Sequence, residues 1–442
     1  MSAAQVAVER WFRAALETVD PEVAVERILE RDGHRLTVAR RVVEVRGRVW
    51  VVAVGKAAVP MAVAAGRVCG EWIAGGVVIT KDGHLGGRLP LGLEAFEASH
   101  PIPDERGVAA TRHALAVLDS LDEGDLVLAL ISGGGSALLE APVPPVTLAD
   151  MARTTDLMLR AGAPIDDLNA VRTPLSLVKG GGLRRAARRT PFVTLVLSDV
   201  LGNDPRVIAS GPTVPSDANL ERALELIRRY GLEAAVPATV LSVLQGRLAE
   251  SAGCDVPTDD PVVVVGDNTA ALRGMQTAIE GEGLTATVVW RDRGDEAREL
   301  GTAWVAACRD AGSAADVVLG GGEATVTVRG CGLGGRNTEF ALAAALELER
   351  TAESGWVIAS LATDGQDGLT GVAGATVDGE TAARARRKGV DPESALADND
   401  SLAVFQAAGG LVAPGPTGTN VNDLYVGVRL AALDRIGGVA RE

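Results

Sequence analysis

The sequence predicts an α/β protein built from two layered domains. Its 442 residues exceed what one ordinary hydrophobic core accommodates, so two domains are expected. Hydrophobic residues make up 47% of the chain and glycine numbers 53, whereas aromatic residues reach only 3%, a composition typical of α/β proteins. Segments with strand and helix patterns alternate along the chain, which favours layered sheets joined by right-handed βαβ crossovers.

The net charge of −15 argues against nucleic acid or an acidic membrane surface as a partner. An anionic substrate would therefore have to be attracted by local cations. No segment approaches the ~18 uncharged apolar residues that a membrane span needs, and the first thirty residues carry no signal-peptide pattern. The four cysteines show no CxxC spacing, which argues against structural zinc and indicates a reduced environment. We expect a cytoplasmic protein.

The first half opens with an amphipathic helical pattern at 4–30, broken near Asp20, and a hairpin-like patch at 35–48. A buried strand predicted at 49–54 leads to Lys56 at the start of a helix. A cation there opposes the helix dipole and costs up to ~1 kcal/mol, unless an anion lies between the two. A lysine that extends to solvent explains the same spacing equally well.

A second short strand is predicted at 75–80, and His100 is expected to organise the loop at 99–105.

The motif around which the chain is organised is an apolar strand at 126–131 that runs into a glycine-rich loop and a helix pattern. The three glycines of this loop let a ligand approach the backbone amides, and the start of a helix favours phosphate or carboxylate. The predicted anion-binding residues of this loop are Ser132, Gly133, Gly134, Gly135 and Ser136.

Further along, helical patterns at 147–189 are interrupted by a second glycine triplet, Gly180–Gly182. A buried strand at 191–197 ends near Asp199, where open α/β sheets place functional groups, although an N-cap role is the simpler alternative. Helices are expected at 219–231 and 237–250. The polar segment 251–261 is the expected linker between the domains.

The second half is predicted to alternate in the same way. Strands are expected at 262–265, 285–290, 316–319, 324–328, 356–362 and 424–428, and helices from 269, at 295–311 and at 338–350. Gly330, Gly332 and Gly335 match GxGxxG, but no acid follows at the spacing of a dinucleotide site. Arg336 directly follows the third glycine and is thus a second cation placed against a helix dipole.

Together these features suggest phosphoryl transfer, which needs positioning and cations that face the phosphate oxygens. Asp199 is a candidate base for a substrate hydroxyl. Glu323, Asp364 and Asp367 are candidate ligands for Mg²⁺, although Asp364 and Asp367 fit a turn equally well. If both Lys56 and Arg336 only oppose a dipole, their removal should leave stability unchanged or slightly raised.

Nine motifs follow one another along nearly the whole chain: GKAAVPMA (55–62), SHPIPDERG (99–107), SGGGSALLEAP (132–142), LNAVRTPLSLVKGGGL (168–183), LSDVLGNDPRVIASGPT (197–213), GGGEATV (320–326), GGRNTEFAL (334–342), ATDGQDG (362–368) and TGTNVNDL (417–424). In this order they resemble the glycerate 2-kinases with a DUF4147 N-terminal domain and a C-terminal MOFRL domain. The resemblance implies ATP- and Mg²⁺-dependent phosphorylation of D-glycerate to 2-phosphoglycerate.

The resemblance also implies a Rossmann-like domain at 1–250 and a smaller MOFRL domain at 251–442, with the active cleft between them and a last strand that is free to return to the first domain. The family's catalytic lysine, arginine and aspartate fall on Lys56, Arg336 and Asp199. Substrate or phosphate contacts are expected from the 132–136 loop, Lys179 and Asn337. Nucleotide contacts are expected from Gly320, Gly321, Gly322, Glu323, Gly334 and Gly335.

Three positions depart from the family pattern: Gly182 replaces an arginine, Asn203 an acid and Thr338 a glutamine. Arg184 or Arg185 could supply the missing guanidinium. Because of this departure a kinase for a related hydroxy acid stays open, as do an NAD(P)H-dependent hydroxypyruvate reductase and a non-catalytic nucleotide-binding regulator. A homodimer is the assembly considered.

Overall fold

The computed structural model describes residues 2–216, 219–250, 259–312 and 315–439. Its internal contacts divide the chain into two compact units. The N-terminal unit comprises Pro21–Ser198 and Asn203–Val265, and the C-terminal unit comprises Met1–Asp20, Asp199–Gly202 and Gly266–Glu442. Most of the expected linker, including the predicted boundary after residue 250, lies outside the described residues.

The strands, in chain order, are β1 (Leu29–Asp32), β2 (Arg35–Val38), β3 (Arg41–Glu44), β4 (Val49–Val54), β5 (Ile73–Lys81), β6 (Leu93–Ala98), β7 (Leu126–Ile131), β8 (Phe192–Leu197), β9 (Val262–Gly266), β10 (Ala286–Arg293), β11 (Val317–Gly322), β12 (Trp356–Ala362), β13 (Gly374–Asp378), β14 (Leu411–Val412) and β15 (Asp423–Arg429).

The α-helices are α1 (Ala3–Thr18), α2 (Pro21–Glu26), α3 (Ala58–Cys69), α4 (Glu105–Asp119), α5 (Gly135–Leu138), α6 (Leu148–Arg160), α7 (Ile165–Arg172), α8 (Gly182–Ala186), α9 (Leu220–Arg229), α10 (Ala238–Glu250), α11 (Asn268–Gly281), α12 (Ala297–Asp310), α13 (Arg336–Arg350), α14 (Thr381–Arg387), α15 (Pro392–Ala397), α16 (Ser401–Ala408) and α17 (Leu430–Val439).

The main sheet of the N-terminal unit has the strand order β6-β5-β4-β7-β8-β9. The pairs from β6 to β8 are parallel, and every residue of β7 and β8 is buried. Continuous apolar strands of this kind belong to parallel sheets covered on both faces. The carboxyl ends of β4 and β7 therefore lie side by side, and they carry Lys56 and the 132–136 loop. A separate antiparallel sheet is formed by β1, β2 and β3.

The sheet of the C-terminal unit has the order β10-β11-β15-β12-β13-β14, in which β10 and β11 are parallel and the other pairs antiparallel. The last long strand, β15, lies at its centre. Asp423, the first residue of β15, pairs with Gly322 on one side and with Ala362 on the other. This register brings Asp423 next to the ends of β11 and β12, where Glu323 and Asp364 follow. Trp304, Phe340 and Tyr425 pack together in the core beneath it.

The α/β prediction is confirmed. The helix break near Asp20 is also confirmed, because α1 ends at Thr18 and α2 begins at Pro21. The strand expected at 324–328 is wrong, since Thr325 makes only an isolated bridge with Glu296. The edge strand β6 was not predicted, because its alternating glutamates obscure a partly exposed strand pattern. No helix within the described ranges combines the length and the apolarity needed to cross a membrane.

Candidate active site

The loop at residues 132–136, called the glycine loop below, is tied to the neighbouring strand β4. The Ser132 N–H donates to the Val54 carbonyl at 2.9 Å, and the Ser132 hydroxyl accepts from the Ala57 N–H at 3.1 Å. Gly134 has φ +84°, and a Cβ there would lie 3.1 Å from the His100 ring. The helix that follows, α5, has only four residues. The expected contribution of a helix dipole is therefore lost, and the Gly135 N–H donates to the Ser132 carbonyl at 3.3 Å.

Basic side chains surround the glycine loop. The Lys56 N–H donates to the Gly133 carbonyl at 2.9 Å, and the Lys56 side chain passes beside Gly134. His84 Nδ1 lies 3.3 Å from the Lys56 carbonyl. Burial, followed by the charges of Lys56, Lys81 and His84, lowers the pKa of His100 to about 4. We call Lys56, Lys81, His84 and His100 the basic cluster. Its cations in this chain of net charge −15 are Lys56 and Lys81, because a pKa of about 4 leaves His100 uncharged at neutral pH.

Lys179, predicted to bind substrate or phosphate, is instead a buried support of the glycine loop. Its side chain is 1% exposed, and its Nζ donates to the Ser136 carbonyl at 2.9 Å. Its counter-ion is Glu140, 3.3 Å away and equally buried, which also accepts from the Ser176 hydroxyl at 2.6 Å. Burial lowers the pKa of Lys179, and the Glu140 charge opposes this shift. Lys179 therefore positions the glycine loop through its bond to the Ser136 carbonyl, and its buried side chain does not face a ligand.

The second glycine triplet explains the departure at residue 182. A Cβ at Gly182 would overlap the Leu177 carbonyl, so this backbone accommodates no side chain there. Arg184 is buried, pairs with Asp260 and stacks over Phe192, which rules it out as a replacement. Arg185 remains, because its Nη2 lies 3.6 Å from the Cβ position of Gly182.

The segment 208–211 joins both glycine motifs and lies within the sequence motif at 197–213. The Ser210 and Ser136 hydroxyls are 2.8 Å apart, and the Ser210 and Gly211 carbonyls accept from Gly180 and Gly181. Ala209 and Ser210 have φ +51° and +62°, the left-handed region that non-glycine residues rarely adopt. Strained residues of this kind cluster at ligand sites. The motif at 197–213 indicates an irregular loop here, but its sequence does not predict the left-handed backbone at Ala209 and Ser210.

In the C-terminal unit Arg336 lies between two carboxylates. Its Nε and Nη2 contact the two oxygens of Asp423 at 2.7 and 3.0 Å, and its Nη1 donates to Glu323 at 2.9 Å. We call these three residues the arginine cluster. Arg336 thus has counter-ions within the protein, so the expectation that its removal leaves stability unchanged no longer holds. Asp423 was missed because 87 residues separate it from Arg336.

Burial acts differently on the two partners of the inner ion pair. The Asp423 side chain is fully buried, and this raises its pKa to about 7 although Arg336 and an Asn337 hydrogen bond lower it. Burial lowers the pKa of Arg336, but the charges of Asp423 and Glu323 outweigh it and the net shift is upward. The guanidinium is therefore always charged, whereas the Asp423 carboxylate is held at a considerable desolvation cost.

The N-terminus of α13 is already occupied by Asp367. Its two oxygens accept the N–H groups of Asn337 and Thr338, each at 2.8 Å, and the Thr338 hydroxyl at 2.7 Å. Asn337, expected to bind substrate, is buried and bonded to Asp367, Asp423 and Ser360. Burial raises the pKa of Asp367, and the hydrogen bonds from Asn337 and Thr338 oppose this shift. The anion expected at this helix start is a side chain of the protein.

The glycines predicted to contact nucleotide pack against the protein itself. Gly320, Gly321 and Gly322 lie within strand β11 rather than in a loop, and side chains there would meet Trp304, Asn268 and the Arg293 backbone. In the GxGxxG segment, N–H groups of residues 329–331 and 333 bond the side chains of residues 398–400. Gly334 adjoins Ser401, and Gly335 adjoins Asp367. This packing explains the conspicuous glycines without a bound dinucleotide.

The acids predicted to hold a metal do not form one cluster. Across the described residues there is no group of three or more His, Cys, Asp or Glu side chains suited to a metal ion. Asp367 caps α13, Glu323 pairs with Arg336, and Asp364 Oδ1 accepts the Gln366 N–H at 2.9 Å. Asp199, the candidate base, has its Oδ2 3.5 Å from the Asn420 amide nitrogen.

Comparisons with known proteins agree over most of the chain. The family profile described as a domain of unknown function, DUF4147, matches residues 7–245, and that of the MOFRL family matches residues 316–423. The D-glycerate 2-kinase of Thermotoga maritima is 40% identical over 388 residues, 86% of this chain and 90% of the relative. A putative hydroxypyruvate reductase of Agrobacterium vitis is also 40% identical, over 96% of this chain and 94% of that protein.

The crystal structure of a glycerate kinase from Thermotoga maritima superposes with a TM-score of 0.86 at 36% identity and covers 97% of this chain and 100% of that one. Sequence and structure are thus shared over both halves of the chain. The chain therefore belongs to the glycerate 2-kinase family of phosphotransferases.

Proposed function

We propose that this protein transfers a phosphoryl group from ATP to the 2-hydroxyl of D-glycerate, giving ADP and 2-phosphoglycerate. The observation that carries the proposal is the basic cluster around the glycine loop. Lys56 and Lys81 supply positive charge there in a chain of net charge −15, so cations lie where an anion would bind. Phosphoryl transfer depends on such positioning and charge neutralisation. The names of the kinase relatives support the same reaction.

Each proposed catalytic residue has a role that its surroundings support. Lys56 would neutralise an anionic group bound at the glycine loop, since its backbone N–H, not its side chain, makes the contact with Gly133. Arg336 would bind a second anionic group through Nη1, because Asp423 holds the other edge of its guanidinium. Asp199, at the carboxyl end of β8, would accept the proton of the attacking hydroxyl.

Mg²⁺ is proposed as the partner of the ATP phosphates, whose charge it would neutralise. The donors fit the ion only in part. Both Asp367 oxygens accept hydrogen bonds at the start of α13, so we withdraw it as a ligand. Asp364 is partly exposed and has a single oxygen bonded to Gln366, which suits an ion that takes one or two carboxylates and otherwise phosphates and water. We therefore assign the ion to Asp364.

The reductase alternative has less support in this chain. A dinucleotide site uses the free amides of its glycine loop for the pyrophosphate. Here those amides bond Asp398, Asn399 and Asp400. The acceptor substrate needs its own test, because Gly182 stands where the family has an arginine and Arg185 supplies the nearby guanidinium instead. A related 2-hydroxy acid is therefore the second candidate substrate.

The decisive experiment combines two assays on the same preparation. ADP release with ATP, Mg²⁺ and D-glycerate should be rapid, whereas NADH oxidation with hydroxypyruvate should be absent. The reverse pattern would establish the reductase, and no turnover in either assay with intact ATP binding would establish a regulator. Replacing D-glycerate by L-glycerate, lactate or tartronate identifies the acceptor. The cytoplasmic location and the homodimer stay predictions, and light scattering after size exclusion tests the latter.

A further inference from the structure

The two carboxylates of the arginine cluster are held very differently. Asp423 is fully buried and receives hydrogen bonds from Arg336 and Asn337 as well as the ionic contact with Nε. The Glu323 side chain is 42% exposed, and the contact that it makes is one bond from Nη1 at 2.9 Å. An exposed ion pair contributes little, because water screens it and a long side chain must be ordered. The inner partner is therefore permanent, and the outer partner is easily released.

The position of Glu323 also points to a ligand. Its carboxylate accepts from Nη1 of Arg336, whose other edge is held by Asp423. Glu323 directly follows Gly322, the last residue of β11, which pairs with Asp423 at the start of β15. Guanidinium binds phosphate and carboxylate with the same geometry. An anionic group that reaches Nη1 has to take the place of the Glu323 oxygen.

We propose that Glu323 is a displaceable occupant of the anion-binding face of Arg336, a carboxylate that a phosphate group of the substrate replaces on binding. Asp423 keeps the guanidinium in place throughout. Glu323 neutralises the free face of Arg336 while no ligand is bound, and it therefore lowers the affinity for phosphates. The proposal deepens the proposed function, because it assigns the second anionic group to Arg336, but its test does not require phosphoryl transfer.

The test is the affinity of the full-length protein for inorganic pyrophosphate, measured by calorimetry with EDTA so that no metal takes part. Glu323→Gln keeps the size of the side chain and removes its charge. We expect this variant to bind pyrophosphate about fivefold more tightly, equivalent to ~1 kcal/mol, and more so at low ionic strength. Glu299→Gln, which removes an exposed charge on α12, is the matched control and should bind like wild type.

A double-mutant cycle shows whether the effect passes through Arg336. Arg336→Lys retains a cation for Asp423 but lacks the forked outer nitrogen. Glu323→Gln should then give no gain in the Arg336→Lys background. An equal gain in both backgrounds, or no gain in either, overturns the proposal.

Magnesium separates this role from metal binding. If Glu323 were a metal ligand, Glu323→Gln would weaken the binding of Mg²⁺·ATP and leave metal-free pyrophosphate binding unchanged, and this result also overturns the proposal. Because calorimetry reports binding alone, failure of the kinase assay would refute the proposed function without affecting this result.

Discussion

Asp423→Asn removes the charge of the buried aspartate and nearly preserves its shape. In the wild type the carboxylate contacts Arg336 through both oxygens and accepts from Asn337 at 3.0 Å. Its pKa is about 7 in the folded protein against an ordinary value of 3.8. The folded protein therefore holds a proton at Asp423 over a range of pH in which the unfolded chain has lost it.

The sign of the pH dependence follows from that difference. Where the folded state binds more protons than the unfolded state, the free energy of unfolding falls as pH rises. The stabilisation from this group is complete below about pH 4 and is lost as the pH approaches 7. The rise of the Asp423 pKa from 3.8 to about 7 corresponds to a loss of up to ~4 kcal/mol as the pH rises. Asparagine does not titrate, so the variant should gain stability relative to wild type across this interval.

The assay is urea unfolding of both proteins at pH 4.5, 5.5, 6.5 and 7.5, followed by tryptophan fluorescence, to which the buried Trp304 contributes. All other titrating groups are common to both proteins and cancel in the difference. We expect the difference curve to rise steadily in favour of Asp423→Asn. A difference that is flat, or that moves in favour of wild type, would mean that Arg336 dominates over burial and that Asp423 stays ionised.

Three further predictions concern the cations. Lys56→Ala should lower kcat by roughly 10²–10³, by analogy with lost oxyanion donors, and should leave the melting point unchanged. Lys388→Ala, which removes an exposed lysine, is the control in both measurements. Lys179→Met should cost about 3–5 kcal/mol in urea unfolding because it leaves Glu140 buried and unpaired, and Glu140→Gln in the same chain should recover part of it; an unaltered unfolding curve would refute the buried pair. Arg336→Ala should lower the melting point more than Arg336→Lys, and equal melting points would indicate that the original dipole argument was sufficient.

The fold was predictable where burial dictates sequence. The runs that became β7 and β8 are continuously apolar because both faces of a parallel strand are covered, and such runs have few alternative structures. Edge strands such as β6 carry a weaker pattern, since their exposed faces accept glutamate. The strand predicted at 324–328 is wrong because local β-propensity does not supply a strand for these residues to pair with.

The site was predictable only in part. Lys56 and Arg336 stand out in sequence because a cation at a helix start is unusual, but the partners that explain Arg336 are distant along the chain. Glycine triplets are ambiguous for a physical reason. At 132–136 the missing side chains admit His100 and Ala209 next to Lys56, whereas at 320–322 they admit Trp304 and Asn268 against a strand. Similarly, a lysine beside a glycine triplet has the same sequence whether it faces a ligand or, as Lys179 does, a buried glutamate.

The most direct test of the proposed reaction is a ³¹P NMR time course of the purified protein with ATP, Mg²⁺ and D-glycerate. We predict that the resonance of 2-phosphoglycerate grows in step with that of ADP. Phosphorylation of the 3-hydroxyl, or no change in the ATP signals while the same sample oxidises NADH with hydroxypyruvate, would contradict it.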